Sequence, residues 1–98
     1  MVTPRRLLPS ISSLRALEAL DRLQSASAVA QELSLTQSAV SRQFQALERQ
    51  LGVDLIIREK KRLSLTSEAQ EYVVDVRQAL TQIAQSTLRL QTAPLAGT

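Results

Sequence analysis

The segment from residue 27 to residue 51 constrains the fold of this chain more than any other. It holds two short amphipathic helix patterns, which are separated by the tight turn Leu33-Ser34-Leu35. Thr36 can cap the second helix, and Gly52 can end it in the left-handed conformation. Between them, apolar residues at helical spacing form one narrow stripe: Val40, Phe44, Leu47 and Leu51. The segment therefore predicts a helix-turn-helix.

Between residues 37 and 47, a second arc of the same helix carries small polar side chains and one arginine, without any acid. At about 100° per residue, this arc spans about 140°. A merely solvated helix face usually carries Lys and Glu. An arginine side chain can donate hydrogen bonds to O6 and N7 of one guanine at the same time, and a glutamine amide can pair with adenine. We interpret the arc as the surface that reads base edges, although each member also suits an ordinary solvated surface: Gln37, Ser38, Ser41, Arg42 and Gln45.

The composition narrows the function classes. The 98 residues include only two aromatic ones, Phe44 and Tyr72, so the core must consist of Leu, Val, Ile and Ala, which suit helices. Without Cys or His the chain lacks the usual ligands of zinc, the commonest general base and disulfides, and we expect no cofactor, no metal and no enzyme activity. No apolar run approaches the roughly 20 residues of a membrane span. We expect a cytoplasmic, nucleoid-associated protein.

A small hairpin, or wing, is predicted after Gly52. Residues 53–58 form a β-branched run, and Leu63-Ser64-Leu65 alternates like a returning strand. The formal net charge is only +3. The basic cluster at the hairpin tip is therefore better evidence for a polyanionic partner than the total charge is. Its position after the helix-turn-helix predicts contacts with phosphates or the minor groove, and a solvated tip is the alternative. The cluster consists of Arg58, Lys60, Lys61 and Arg62.

Two earlier features complete the N-terminal part. Residues 1–11 are expected to be an extended leader, whose Arg5 and Arg6 would form either an electrostatic arm or a solvated terminus. The first helix is predicted to begin near Ser12 or Ser13, and Ser27 is the candidate cap of the second helix.

One long helix is predicted from about residue 67 to about residue 91, with Thr66 as its cap. At ~1.5 Å per residue it would be about 36 Å long, which exceeds the width of so small a domain. We expect a second copy of the chain to cover its apolar heptad seam, and a homodimer also suits a palindromic DNA site. The predicted dimerisation residues are Val73, Val76, Leu80, Ile83, Thr87 and Leu90.

Taken together, residues 7 to 91 resemble the N-terminal DNA-binding domain of LysR-type transcriptional regulators. The most specific matches are the run Gln-Ser-Ala-Val-Ser-Arg-Gln at residues 37–43, then Leu47-Glu48 and Leu51-Gly52-Val53. The leader Arg5-Arg6-Leu7 with Pro9 looks like the subgroup related to glycine-cleavage activators.

The resemblance implies a mainly α fold, in which a winged helix-turn-helix (three-helix core plus two-stranded wing) is followed by a linker helix that pairs antiparallel with its dimer mate. It implies binding to an interrupted inverted repeat in promoters. Gln37, Ser38, Ser41 and Arg42 match the family's groove-reading positions, and Thr36 would lie near a phosphate. Family members usually continue into a ligand-sensing domain, so a small-molecule inducer is expected only there.

The expected domains are a winged helix-turn-helix over residues 1–66, a dimerisation helix over 67–91 and a hinge over 92–98. The expected function is sequence-specific binding of double-stranded DNA by a bacterial transcription regulator, with helix 36–51 in the major groove and wing 58–62 on the backbone or minor groove. The alternative is a winged-helix module that binds protein and not DNA. A steep salt dependence of DNA binding would separate the two.

Overall fold

Helices dominate the computed structural model of the chain, which describes residues 2–60 and 62–96 and the side chains as far as residue 92. A short 3-10 turn, here called the N-terminal turn, spans Arg5–Leu7. The helices are α1 (Ile11–Leu23), α2 (Ala26–Leu33), α3 (Gln37–Leu51) and α4 (Ser67–Ala96), and the strands β1 (Ile56–Glu59) and β2 (Arg62–Leu65) lie between α3 and α4. The predicted mainly α architecture, a three-helix core with a two-stranded wing and a long final helix, is confirmed.

Side-chain oxygens accept hydrogen bonds at the starts of the core helices. Thr36 Oγ1 accepts from Ala39 N at 3.0 Å, as predicted. The predicted cap of α2 is wrong, because Ser25 Oγ and not Ser27 takes this role, accepting from Ala28 N at 3.2 Å. The reason is local: Gln24 ends α1 in the left-handed conformation, so the chain is already extended at the next residue.

The predicted cap of α1, Ser12 or Ser13, is also wrong, although the helix begins close by, at Ile11. Ser10 Oγ accepts from Ser13 N at 3.1 Å, which places the cap earlier in the chain. Ser13 instead lies inside the helix and is buried, because its hydroxyl faces α3. Three nearby serines are equally suited to capping by residue type, and only the packing of α1 decides among them.

One apolar core is shared by the three core helices, the base of the wing and the first turns of α4. Val40, Phe44 and Leu47 of the predicted stripe are buried, whereas Leu51 is half-buried. Gly52 follows α3 with a φ of +67°, which confirms its predicted left-handed role. The buried hydrophobic set is Ala16, Leu17, Ala19, Leu20, Val29, Ala30, Val40, Phe44, Leu47, Leu55, Ile56, Leu65, Ala69, Val73 and Val76.

The wing pairs β1 with β2 in antiparallel register, with Ile56 opposite Leu65 and Glu59 opposite Arg62. The predicted first strand therefore begins too early at residue 53, and Glu59 and Arg62 belong to the strands and not to the connection. Burial of Ile56 and Leu65 sets this register. Lys60 follows β1 with a φ of 50°, and the predicted contact residue Lys61 lies outside the described residues.

Thr66 caps α4 as predicted, since its Oγ1 accepts from Ala69 N at 3.2 Å. The predicted end near Gln91 is wrong, because α4 continues to Ala96 and includes residues 92–96 of the predicted hinge. Thr92, the first residue of the predicted hinge, lies within the helix, and its Oγ1 donates to Leu88 O at 3.0 Å, one turn back.

Candidate nucleic-acid interface

The outward arc of α3 brings the five predicted base-reading residues together on one exposed surface. The buried stripe on the opposite side fixes the rotation of the helix, so this arc must face away from the core. The one acid of α3, Glu48, lies within about 20° of Ser41 around the helix but two turns further along, and its carboxylate accepts hydrogen bonds from the wing. A polyanion can therefore approach the arc without charge repulsion. Its members are Gln37, Ser38, Ser41, Arg42 and Gln45.

The start of α3 lies at one end of this arc. A helix start leaves N–H groups of its first turn without intrahelical partners, and its dipole favours negative charge there. Thr36 satisfies the N–H of Ala39 and is itself exposed. The N-terminal end of α3 therefore suits a phosphate oxygen, as the resemblance implies for Thr36.

Glu48 joins α3 to the wing. Its Oε2 accepts hydrogen bonds from Leu55 N at 2.9 Å and from Ile56 N at 3.2 Å. Its Oε1 lies 3.8 Å from Arg58 Nη2, whose side chain is 49% exposed, so this ion pair is loose and contributes little by itself. One carboxylate thus orients the wing relative to α3 and leaves Arg58 accessible. This role was not predicted from the sequence. The one available signal was that Glu48 is the single acid of the helix.

The register of the wing separates two of its predicted contact residues. Arg58 pairs with Leu63 and shares the face that bears Ile56, whereas Arg62 pairs with Glu59 on the opposite face. Arg62 Nη2 donates to Gln24 Oε1 at the junction of α1 and α2. Lys60 is exposed next to the tip. The structure therefore places Arg58 and Arg62 on opposite faces of the hairpin.

A partly buried polar relay helps to set the position of α3 against α1. Ser10 Oγ donates to Ser13 Oγ at 2.9 Å, and Ser13 Oγ donates to Gln43 Oε1 at 2.7 Å. Because Gln43 lies within the helix that carries the reading arc, this relay restricts how α3 can rotate or slide. The sequence offered no signal for it beyond the residue types, since Ser13 and Gln43 are 30 positions apart.

An ion-pair network connects the core to α4. Arg77 of α4 donates to Glu18 at 3.1 Å and to Asp21 at 2.7 Å, and Arg22 bridges Glu18 to Glu32 of α2. Burial raises the pKa of the Glu18 carboxyl, but hydrogen bonds from Arg22 and Arg77 outweigh it, and the net pKa lies below its ordinary value. The network therefore adds to the apolar packing of α4 against the core, which sets the direction in which α4 leaves it.

The predicted dimerisation residues divide into two groups. Val73 and Val76 are only 2% and 4% exposed within a single chain. Their predicted place in the dimer interface is therefore wrong, because they belong to the chain's own core. Leu80 is half-buried, whereas Ile83 is 48% and Leu90 73% exposed. Thr87 is exposed too, and its hydroxyl donates to Ile83 O at 2.9 Å. The available apolar surface is thus the outer part of the seam.

Features of a metal centre or of a membrane span are absent from the part of the chain that the structure describes. Within residues 2–60 and 62–96, no group of three or more acidic, His or Cys side chains could hold a metal ion. In the same part of the chain, no helix combines the length and the apolar character that a membrane crossing requires.

Comparison with known proteins finds similarity to one family of bacterial regulators. The family model for bacterial regulatory helix-turn-helix proteins of the lysR family matches residues 11–70. The glycine cleavage system transcriptional activator of Escherichia coli (strain K12) is 39% identical over 84 residues, which cover 86% of this chain and 28% of that protein. Its homolog in Haemophilus influenzae is 40% identical over 85 residues, which cover 87% and 28%. The chain thus spans about 28% of the length of these relatives.

Solved structures show the same likeness. The protein in a CbnR_DBD–DNA complex has a TM-score of 0.79 and 29% identity, covering 87% of this chain and 98% of that one. The protein in a BenM_DBD complex with catB site 1 DNA has a TM-score of 0.83 and 25% identity, covering 91% and 96%. In both crystal structures the similar protein is bound to DNA.

Proposed function

The chain belongs to the lysR family of bacterial regulatory helix-turn-helix proteins, and from this premise we propose that it binds double-stranded promoter DNA sequence-specifically, as the DNA-reading part of a transcription regulator. One observation carries the proposal: α3 presents an exposed, acid-free polar arc whose orientation is fixed by the core and by the Ser13–Gln43 hydrogen bond. The alternative, a module that binds protein and not DNA, would not require an arc free of acids.

In this proposal α3 lies in the major groove. A helix fits that groove, which is about 12 Å wide. Ser38 and Ser41 are short, so they let the helix backbone approach the base edges closely. Arg42 supplies the bidentate donor that guanine requires, while Gln37 and Gln45 supply the amides that suit adenine.

The wing supplies contacts that do not depend on base sequence. Arg58, held near Glu48, and the exposed Lys60 would bind phosphates or the minor groove next to the site read by α3. Arg62 bonds a neutral amide and so keeps its full charge for the same purpose. Lys61 remains a contact residue proposed from the sequence alone.

Homodimerisation through α4 would place two reading helices on one DNA site. The outer part of α4 carries an apolar seam that a second copy can cover in a coiled-coil manner: the half-buried Leu80 and the exposed Ile83 and Leu90. Two copies related by symmetry match an inverted repeat, whose half-sites lie one helical turn of about 34 Å, or a multiple of it, apart. The protein would act in the cytoplasm on the nucleoid, and any inducer would bind in a ligand-sensing domain outside this sequence.

A titration of labelled DNA tests the proposal. Fluorescence anisotropy would compare promoter DNA from the region next to the gene with random DNA of equal length, over a series of salt concentrations. We expect tighter binding of the promoter DNA, and affinities for both DNAs that fall steeply with salt because counterions are released. Absence of binding to either DNA at low salt would overturn the proposal in favour of the protein-binding alternative.

A further inference from the structure

We propose that the N-terminal turn is a docked DNA-backbone contact, in which Arg5 and Arg6 bind phosphates beside α3 on the flank away from the wing. The inference rests on the proposed DNA binding. It assigns a role to a leader that the sequence left open between an electrostatic arm and a solvated terminus.

The turn is attached to α3 itself. Gln50 Nε2 lies 3.4 Å from both Arg5 O and Arg6 O and donates to them. The turn is closed internally by Leu7 N, which donates to Pro4 O at 3.0 Å. Both arginines are thus positioned by a side chain from the last turn of the candidate recognition helix.

Helix geometry places this attachment opposite the wing. At about 100° per residue, Gln50 lies about 160° around α3 from Glu48, which holds the wing. Gln43, which bonds Ser13 of α1, lies within about 20° of Gln50 by the same count. The exposed Arg42 and Arg49 project between these two flanks. A DNA backbone on the Gln50 side of α3 would therefore meet the N-terminal turn, and a backbone on the other side would meet the wing.

The charges of this flank are not neutralised by the protein. Arg5 and Arg6 are exposed, and neither takes part in an ion pair among residues 2–60 and 62–96. The acids Glu18, Asp21 and Glu32 instead pair with Arg22 and Arg77. Holding two adjacent cations beside α3 costs repulsion, which an anionic partner would remove. A docked turn also loses less entropy on binding than a free tail does.

The test compares the salt dependence of DNA binding by the wild-type chain and by the double variant Arg5→Gln/Arg6→Gln. Each phosphate contact contributes about 0.9 to the slope of log affinity against log salt, so loss of two contacts reduces the slope by about 1.8. Over a fourfold rise in salt, the wild type should lose about 12-fold more affinity than the variant. The loss should be equal on promoter and random DNA, because phosphates carry no sequence information.

Two further variants make the result specific. Arg89→Gln removes one exposed charge far along α4 and should leave the slope unchanged. Gln50→Ala removes no charge but releases the turn, and it should weaken binding to both DNAs. Circular dichroism would verify that all variants fold.

The outcomes separate the two proposals. If the double variant binds with the wild-type slope and affinity, the backbone contact is overturned while DNA binding stands. If the double variant shows the reduced slope but Gln50→Ala binds both DNAs with wild-type affinity, the arginines act from a free tail and the docking is overturned. If the wild type binds no DNA, the proposed function fails as well.

Discussion

Glu48 Oε2 accepts a hydrogen bond from Leu55 N at 2.9 Å, which connects the helix that carries the reading arc to the base of the wing. The same oxygen accepts from Ile56 N, so one carboxylate satisfies two backbone donors that the strand ladder leaves free. Glu48 therefore helps to fix the angle between α3 and the wing, together with the burial of Ile56 and Leu65 in the core.

Replacing the Glu48 side chain tests that role. Glu48→Ala leaves two partly buried N–H groups without their acceptor, and we expect a loss of about 1–3 kcal/mol in the free energy of unfolding. Glu48→Gln keeps an acceptor oxygen and should lose less. Urea unfolding measures both, with Glu71→Ala on the exposed side of α4 as the control. Equal stability of Glu48→Ala and Glu71→Ala would show that the carboxylate does not hold the wing.

Arg42→Ala tests base reading. We expect a loss of about 1–3 kcal/mol on the specific site and a much smaller loss on random DNA, because a bidentate base contact carries discrimination. Lys60→Ala is the matched control, since a phosphate contact should weaken binding to both DNAs alike. Anisotropy titrations against both DNAs give the comparison. An equal loss for Arg42→Ala on the two DNAs would argue against base readout.

Ile83→Asp tests the outer part of α4 as the dimer surface. The side chain is 48% exposed, so the charge should leave the fold intact while sedimentation shifts toward the monomer. Val74→Asp is a close control, because Val74 is equally exposed at 48% but lies off the seam. Val73→Asp should instead unfold the chain, since Val73 lies in the core. A sedimentation profile of Ile83→Asp that matches the wild type would refute this interface.

We expect the free energy of unfolding to depend on pH through the carboxyl group of Glu18. Its pKa in the folded protein lies below the ordinary 4.5, because hydrogen bonds from Arg22 and Arg77 outweigh the effect of burial. A lowered folded pKa contributes stability above the unfolded pKa, and this contribution is lost as the pH falls through the folded pKa. Glu18→Gln should therefore be less stable than the wild type at pH 7.

The difference between Glu18→Gln and the wild type should then narrow as the pH falls below 4.5. Urea unfolding at a series of pH values measures it, with Glu71→Gln as the control for removal of an exposed carboxylate. A stability difference that stays constant across this pH range would contradict the assigned role of the network.

Local patterns were enough to predict much of the site. The stripe of α3, its cap at Thr36 and its end at Gly52 all depend on residues within a few turns of one another, so periodicity and capping chemistry specify them. The reading arc follows as the complement of the buried stripe. Which of its residues contact bases stays a prediction.

The errors arose where several local solutions were equally good. Ser10, Ser12 and Ser13 all suit a helix cap, and the hydrogen bond from Ser13 to Gln43 decides among them. The heptad seam of α4 runs through Val73 and Val76 without interruption, so the sequence does not mark where the chain's own core ends. Only the packing of α1 and the wing against α4 buries these two and leaves Ile83 exposed.

The sequence by itself determined the helices, the hairpin and the face of α3 that is turned outward, because these depend on interactions between near neighbours. Only the tertiary structure decided how these parts are oriented: Glu48 holds the wing, Arg77 holds α4 against α1, and Gln50 holds the N-terminal turn beside α3. Arg77 lies 56 positions from Asp21, and Gln50 lies 45 from Arg5. The physical reason is that such contacts require distant segments to meet, and their geometry is defined only after the apolar core has packed.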